Sequence, residues 1–141
     1  GEHLKQDLVE KLHHMRDNVD KVEQRAPQII AEYRSKLMEK VNELLGDTQI
    51  DEARLSTEIV LFADKICTDE ETVRLKSHIT SMLNALERSE GIGRKLDFIA
   101  QEMNREANTI LSKSNDLETS DIAIELKTEI EKVREQIQNI E

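Results

Sequence analysis

The chain has 141 residues, with 30 acidic against 20 basic side chains and a formal charge of −10. It is therefore one domain, or a small domain with an arm, and its overall field disfavours simple electrostatic binding of nucleic acid. One cysteine, Cys67, excludes an internal disulfide and any paired-cysteine zinc spacing, and reads as a small apolar residue near a helix end.

Three aromatic residues, one proline and four glycines argue for long helices and against sheet. The core must come from Leu, Ile, Val, Met and Ala. No apolar run approaches the ~20 residues of a membrane span, and no signal peptide is visible. A soluble cytoplasmic protein without membrane attachment is expected.

The predicted fold class is all-α: a long N-terminal helical arm over residues 1–50, kinked near Pro27, followed by a helical domain of about four helices over residues 51–141. In the arm, Leu8, Leu12, Met15, Val19, Val22, Ala26, Ile29 and Tyr33 alternate steps of four and three, a heptad seam. It continues less strictly through Leu37, Val41 and Leu44. Pro27 removes a helical hydrogen bond and crowds the preceding turn, so a kink or break is expected near Arg25–Ala26. The seam fits equally an arm reaching another subunit and a helix docked on its own domain.

Gly46 to Ile50 reads as a loop and Asp51 as the N-cap of a helix with Leu55, Ile59, Phe62 and Ile66 on its apolar face. Thr68-Asp69-Glu70-Glu71 has the form of a capping box, Thr68 at the N-cap and Glu71 reaching back. The helix that follows buries Leu75, Ile79, Met82, Leu83 and Leu86 and ends at Ser89–Gly93. The next begins at Gly93 or Arg94, with Leu96, Ile99, Met103, Ala107 and Ile110 inward. Ser112–Ser120 is a turn or a polar stretch, and a last helix from about Asp121 carries Ile122, Leu126, Ile130, Val133, Ile137 and Ile140 inward.

Charge is uneven along the second half. Residues 46–93 carry 5 basic and 10 acidic side chains, residues 94–116 carry 4 of each, and residues 117–141 carry 3 and 7. The neutral segment holds Gln101, Glu102, Asn104, Arg105, Glu106 and Asn108 almost without interruption, an unusual face for solubility alone.

Glu102 and Glu106, four apart, project from one side, where two carboxylates can share a hard divalent ion. A wet acidic face with Arg105 and Lys113 nearby is the plainer account. Gln101, Arg105 and Asn108 form a second polar line, suited to phosphates and base edges or to an inter-helix hydrogen-bond network. Gly91-Ile92-Gly93-Arg94-Lys95 opens a helix and could meet an RNA phosphate or be an ordinary turn. It lacks the GK[ST] of a nucleotide-binding loop, so no nucleotide cofactor is expected.

Glu71, Arg74 and His78 share a face, His78 being the best single candidate for general acid, general base or imidazole ligand. The plain alternative is a histidine bonded to a carboxylate. His3, His13 and His14 look like solvent residues, and Arg134, Gln138 and Glu141 form a last polar line that suggests docking or, second, RNA contact by Arg134. No protein nucleophile motif is present. Metal-activated water attacking a phosphodiester is the economical chemistry if there is catalysis.

GRKLDFIAQEMNREANTILSKSND followed by ELKTEIEKVREQIQNIE, with DEARLSTEIVLFADK and EETVRLKSH upstream, resembles the C-terminal domain of the bacterial YicC-like family. Residues 2–50 are similar to the helical segment that joins it to an N-terminal domain absent here.

The resemblance implies a divalent-metal-dependent endoribonuclease (Mn²⁺ or Mg²⁺) acting on single-stranded or small RNA, linked to small-RNA turnover and assembled as a homo-oligomer. It implies functional roles for Asp97, Gln101, Glu102, Arg105 and Glu106, with Glu71, Arg74 and His78 as a second group. The resulting expectation has His78, Glu102 and Glu106 catalytic and Glu71, Asp97, Glu102 and Glu106 around metal. Arg74, Arg94, Lys95, Gln101, Arg105, Asn108 and Arg134 would contact RNA, and the N-terminal domain would supply much of the positive field. The rival reading is a non-catalytic helical oligomerisation or RNA-chaperone module.

Overall fold

The computed structural model describes residues 2–46, 48–88 and 93–140, all helix apart from short connections. Among the described residues five helices follow one another: α1 (Glu2–Leu45), α2 (Glu52–Ile66), α3 (Asp69–Glu87), α4 (Gly93–Lys113) and α5 (Leu117–Ile140). No strand occurs among the described residues, so the all-α expectation holds.

The heptad seam of α1 changes partner half-way. Leu8, Leu12, Met15, Val19 and Val22 are buried against α3 and α5. The N-terminal half of α1 thus completes a four-helix ring in which α4 packs between α3 and α5. From Ala26 onward the seam residues are half-buried, and Leu44 is exposed. This distal half packs chiefly on α2, with Tyr33 and Phe62 stacked at 3.7 Å between ring centroids.

Of the kink or break expected near Arg25–Ala26, the break does not occur: the helix is continuous through Pro27. The proline is exposed, so only the carbonyl of Glu23 loses its helical donor. Next to it, Arg25 is clamped to Asp116 of the α4–α5 turn at 2.8 Å.

The ring owes its core to the predicted periodicity. Leu75, Ile79, Met82 and Leu86 of α3, Leu96, Ile99, Met103, Ala107 and Ile110 of α4, and Ile122, Leu126, Ile130, Val133 and Ile137 of α5 are buried, while Leu83 packs on the edge. The side chain of Ile140 and the turn Ser89–Ile92 lie outside the described residues.

Two capping expectations part company. Asp51 caps α2, its carboxylate accepting from the amides of Ala53 and Arg54. Thr68 sits at the N-cap of α3 but makes no side-chain capping bond. Glu71 turns away from the helix end and binds Lys113 of α4 instead. An ammonium offers a buried carboxylate a charge-assisted bond, stronger than one to a neutral amide. The last helix begins four residues before Asp121, because Asp116 caps it.

Candidate functional site

Helices α3 and α4 run antiparallel, and a polar seam follows the edge of their apolar contact. Glu71 is 2% exposed; it accepts from Lys113 Nζ at 2.7 and 3.2 Å. Further along, Arg74 Nε donates to Glu106 Oε2 at 2.8 Å, and Glu106 is also buried. The guanidinium of Arg74 lies 3.8 Å from Glu71 as well, so the two pairs are linked. As α3 advances, the partner on α4 recedes. One turn further along each helix stand His78, four residues after Arg74, and Glu102, four residues before Glu106.

These two differ from their neighbours. Glu102 is half-buried, and its near cation is Arg105 at 3.8 Å, an exposed side chain. His78 is half-buried. Among the described residues His78 takes part in none of the hydrogen bonds or ion pairs that tie the helices together.

Electrostatics follow the pairing. The bond to Glu106 raises the pKa of Arg74, and the bond to Glu71 raises that of Lys113. Both cations stay charged across the physiological range, so Glu71 and Glu106 are held by fixed charges. Neither carboxylate is free to be a ligand on all its lone pairs. Glu106 keeps Oε1 outside the bond to Arg74.

The other predicted residues go elsewhere. Asp97 faces α5, where it accepts from Arg134 Nε at 3.1 Å, and its second oxygen accepts from Gln101 at 2.9 Å. The pairing raises the pKa of Arg134 through the bond to Asp97. Arg94, Lys95, Arg105 and Asn108 are exposed on α4. The cradle expected at Gly91–Ile92 and the end of the polar line at Glu141 lie outside the described residues.

The four carboxylates named as candidate metal ligands are thus spread over two seams. Among the described residues the one group of three His, Cys, Asp or Glu donor atoms within 4.8 Å of each other is His14, Glu125 and Glu129, between α1 and α5. A groove of about 680 Å³, lined by Arg34, Met38, Ile50, Leu55, Ile59 and Val60, lies on the distal hairpin and holds none of the predicted site residues.

Several bonds had no local signal in the sequence. Arg25 to Asp116, Lys76 to Asp20 and Glu23, and His14 to Glu129 join residues far apart in the chain. Cys67, expected near a helix end, is there but exposed. Its carbonyl accepts from Lys113 at 3.1 Å.

Comparison with known proteins places this architecture. The family model described as endoribonuclease YicC-like, C-terminal, matches residues 22–141. A protein of Clostridioides difficile named probable endoribonuclease YicC is 44% identical over 142 residues, covering 100% of this chain and 48% of that protein. One of Haemophilus influenzae with the same name is 37% identical over 141 residues, again covering 100% of this chain and 48% of the relative. The chain therefore spans about half the length of the curated relatives it matches.

Proposed function

On the premise that the chain belongs to the YicC-like endoribonuclease family, we propose that it is the helical part of an enzyme that cleaves single-stranded RNA at the α3–α4 seam. The observation that carries this reading is the contrast along that seam. Glu71 and Glu106 are locked by Lys113 and Arg74, while His78 and Glu102, one turn further, are left for chemistry.

A divalent ion, Mn²⁺ or Mg²⁺, would find few uncommitted carboxylate oxygens along this seam. Such ions keep several waters and use one or two protein carboxylates. Glu102 and the remaining Oε1 of Glu106 are a donor set of that kind, whereas Asp97 and Glu71 are committed to Arg134 and Lys113. The ion would supply acidity to a water and charge to a phosphodiester.

The protein groups do the rest. Arg74, half-exposed at 49%, would meet a phosphate by turning its outer nitrogens away from Glu70 and Glu71, at 3.4 and 3.8 Å, while Nε stays on Glu106. His78 offers a ring nitrogen for moving a proton between water and the phosphodiester. Arg105, Asn108, Arg94 and Lys95, exposed along α4, give a strand a polar track, and Gln101 and Arg134 border it. Affinity for RNA would also draw on the part of the relatives that this chain does not span. A role in small-RNA turnover and assembly as a homo-oligomer belong to the same proposal. Assembly is supported by Leu44, Leu45, Val60 and Leu61, exposed on the distal hairpin.

The second reading, a non-catalytic oligomerisation or RNA-chaperone module, is favoured by one fact: two of the candidate carboxylates are buried in ion pairs. One experiment separates the two. End-labelled single-stranded RNA is incubated with the protein and Mn²⁺, with and without EDTA, alongside Glu102→Gln and His78→Ala. Under the enzyme reading EDTA abolishes cleavage, and each substitution lowers the rate at least a hundredfold, the usual scale for a positioned acid–base group, with RNA binding unchanged. Cleavage that survives Glu102→Gln moves the chemistry off this seam and leaves the scaffold reading.

A further inference from the structure

In the ring of four helices the α1–α5 contact lies across from the α3–α4 seam, and it holds a cluster that the proposed chemistry does not use. His14 of α1 and Glu125 and Glu129 of α5 bring one ring nitrogen and two carboxylate oxygens within 4.8 Å of one another. His14 Nδ1 is 2.8 Å from Glu129 Oε2, and Nε2 is 3.9 Å from Glu125 Oε1. Glu125 and Glu129 are one turn apart, so one face of α5 presents both. The second oxygen of Glu129 accepts from Asn18 Nδ2 at 3.3 Å, and Asn18 is 2% exposed. Glu129 is thereby aimed from a buried neighbour, as outer partners orient metal-binding carboxylates.

An ion pair alone leaves this cluster unbalanced. Two carboxylates bring two negative charges, and a protonated imidazole returns one. Among the described residues the one basic side chain within ion-pair distance of Glu125 or Glu129 is His14 itself. A divalent cation would balance both. One imidazole with two carboxylates is a mixed nitrogen–oxygen set, which suits Zn²⁺ and its first-row neighbours better than an all-oxygen ion such as Ca²⁺.

We propose that His14, Glu125 and Glu129 form a site for a first-row divalent cation of the Zn²⁺ class, with solvent completing its coordination and α1 joined to α5 through it. A ligand gained only in the folded chain stabilises that chain. The site is separate from the seam assigned to RNA cleavage, and its existence does not depend on that assignment.

Calorimetric titration of the EDTA-stripped protein with Zn²⁺ tests it, with Glu125→Gln, His14→Ala and His13→Ala in parallel. Circular dichroism would confirm that each variant is folded. Glu125 is half-exposed, with no partner but His14 among the described residues, so Glu125→Gln keeps the argument testable even if His14→Ala disturbs the α1–α5 contact. The expected result is one Zn²⁺ per chain, bound at least tenfold more weakly by Glu125→Gln and by His14→Ala, and unchanged in His13→Ala. Zn²⁺ should also raise the melting temperature of the parent protein more than that of Glu125→Gln. No binding up to millimolar Zn²⁺, or equal affinity in the parent and Glu125→Gln, overturns the proposal.

Discussion

Asp116 closes the turn between α4 and α5 and acts in two ways at once. Its Oδ2 accepts from the amide and hydroxyl of Thr119, the N-cap bonds of α5, and both its oxygens accept from Arg25 of α1. The bond from Arg25 is the main cause that lowers its pKa from 3.8 to about 2. An unfolded chain would bind this proton first as pH falls. The stability it contributes is therefore complete above pH 3.8 and is lost as pH drops towards about 2. With Asp116 mostly buried, the loss should be on the order of 1–2 kcal/mol after screening. Acid unfolding followed by circular dichroism would show it as a shallower acid limb in Asp116→Asn. Asp116→Ala, which also removes the cap, should cost about 1 kcal/mol more than Asp116→Asn in urea.

Also at the residue scale, Glu71 illustrates why a local motif can mislead. It stands three residues after a threonine, yet it points to Lys113. Lys113→Met would leave its buried carboxylate with Arg74 at 3.8 Å as the remaining near cation. A fall in stability of about 1–2 kcal/mol is expected in thermal or urea melts, and Glu71→Gln placed on top of Lys113→Met should recover part of it.

Among the elements, α1 is the one whose two halves do different work. Its first half is a wall of the core, and its second half is a strut for α2. Proline in the middle of a helix costs up to ~3 kcal/mol. Here the residue is exposed, and the unfolded chain gains freedom when it is removed. Pro27→Ala should therefore stabilise the protein by a net of about 1–2 kcal/mol, read as a higher urea midpoint. A neutral or destabilising result would mean that α1 needs its proline geometry to bring Arg25 onto Asp116. Helix α2 has the opposite character. None of its residues is buried, and it leans on α1 through half-buried Leu55, Ile59 and Phe62.

For the whole molecule, burial is concentrated in the ring of α1, α3, α4 and α5, and the distal hairpin extends beyond it. Opening free energies follow buried apolar contact. Amides of Glu52–Ile66 should thus exchange with solvent well before those around Leu75–Leu86, Leu96–Ile110 and Ile122–Ile137, measured by hydrogen exchange on the isolated protein. Met103, fully buried in α4, should cost about 2–5 kcal/mol when changed to Ala. That loss would be global, because both seams of α4 hang on the same core. The candidate site depends on this rigidity: Arg74 and Glu106 are aligned by the apolar rows beside them.

The amino-acid sequence by itself determined the helices, their inward rows and the family likeness. Periods of three and four put Leu75, Ile79, Met82, Met103, Ile110 and Leu126 on buried faces whatever the partner. Gly46 and Asp51 mark their ends through backbone geometry and capping that act within a few residues. The choice of partners was beyond such local rules. Glu102 and Glu106 are equally exposed to inspection in the sequence, yet Glu106 is buried on Arg74 and Glu102 is not. Asp97, in the same stretch, turns to Arg134 on another helix. His14 reads as a solvent residue until α5 brings Glu125 and Glu129 beside it. The tertiary structure decided these pairings, because charge and hydrogen-bond partners are set by distances between helices that no spacing along one helix encodes.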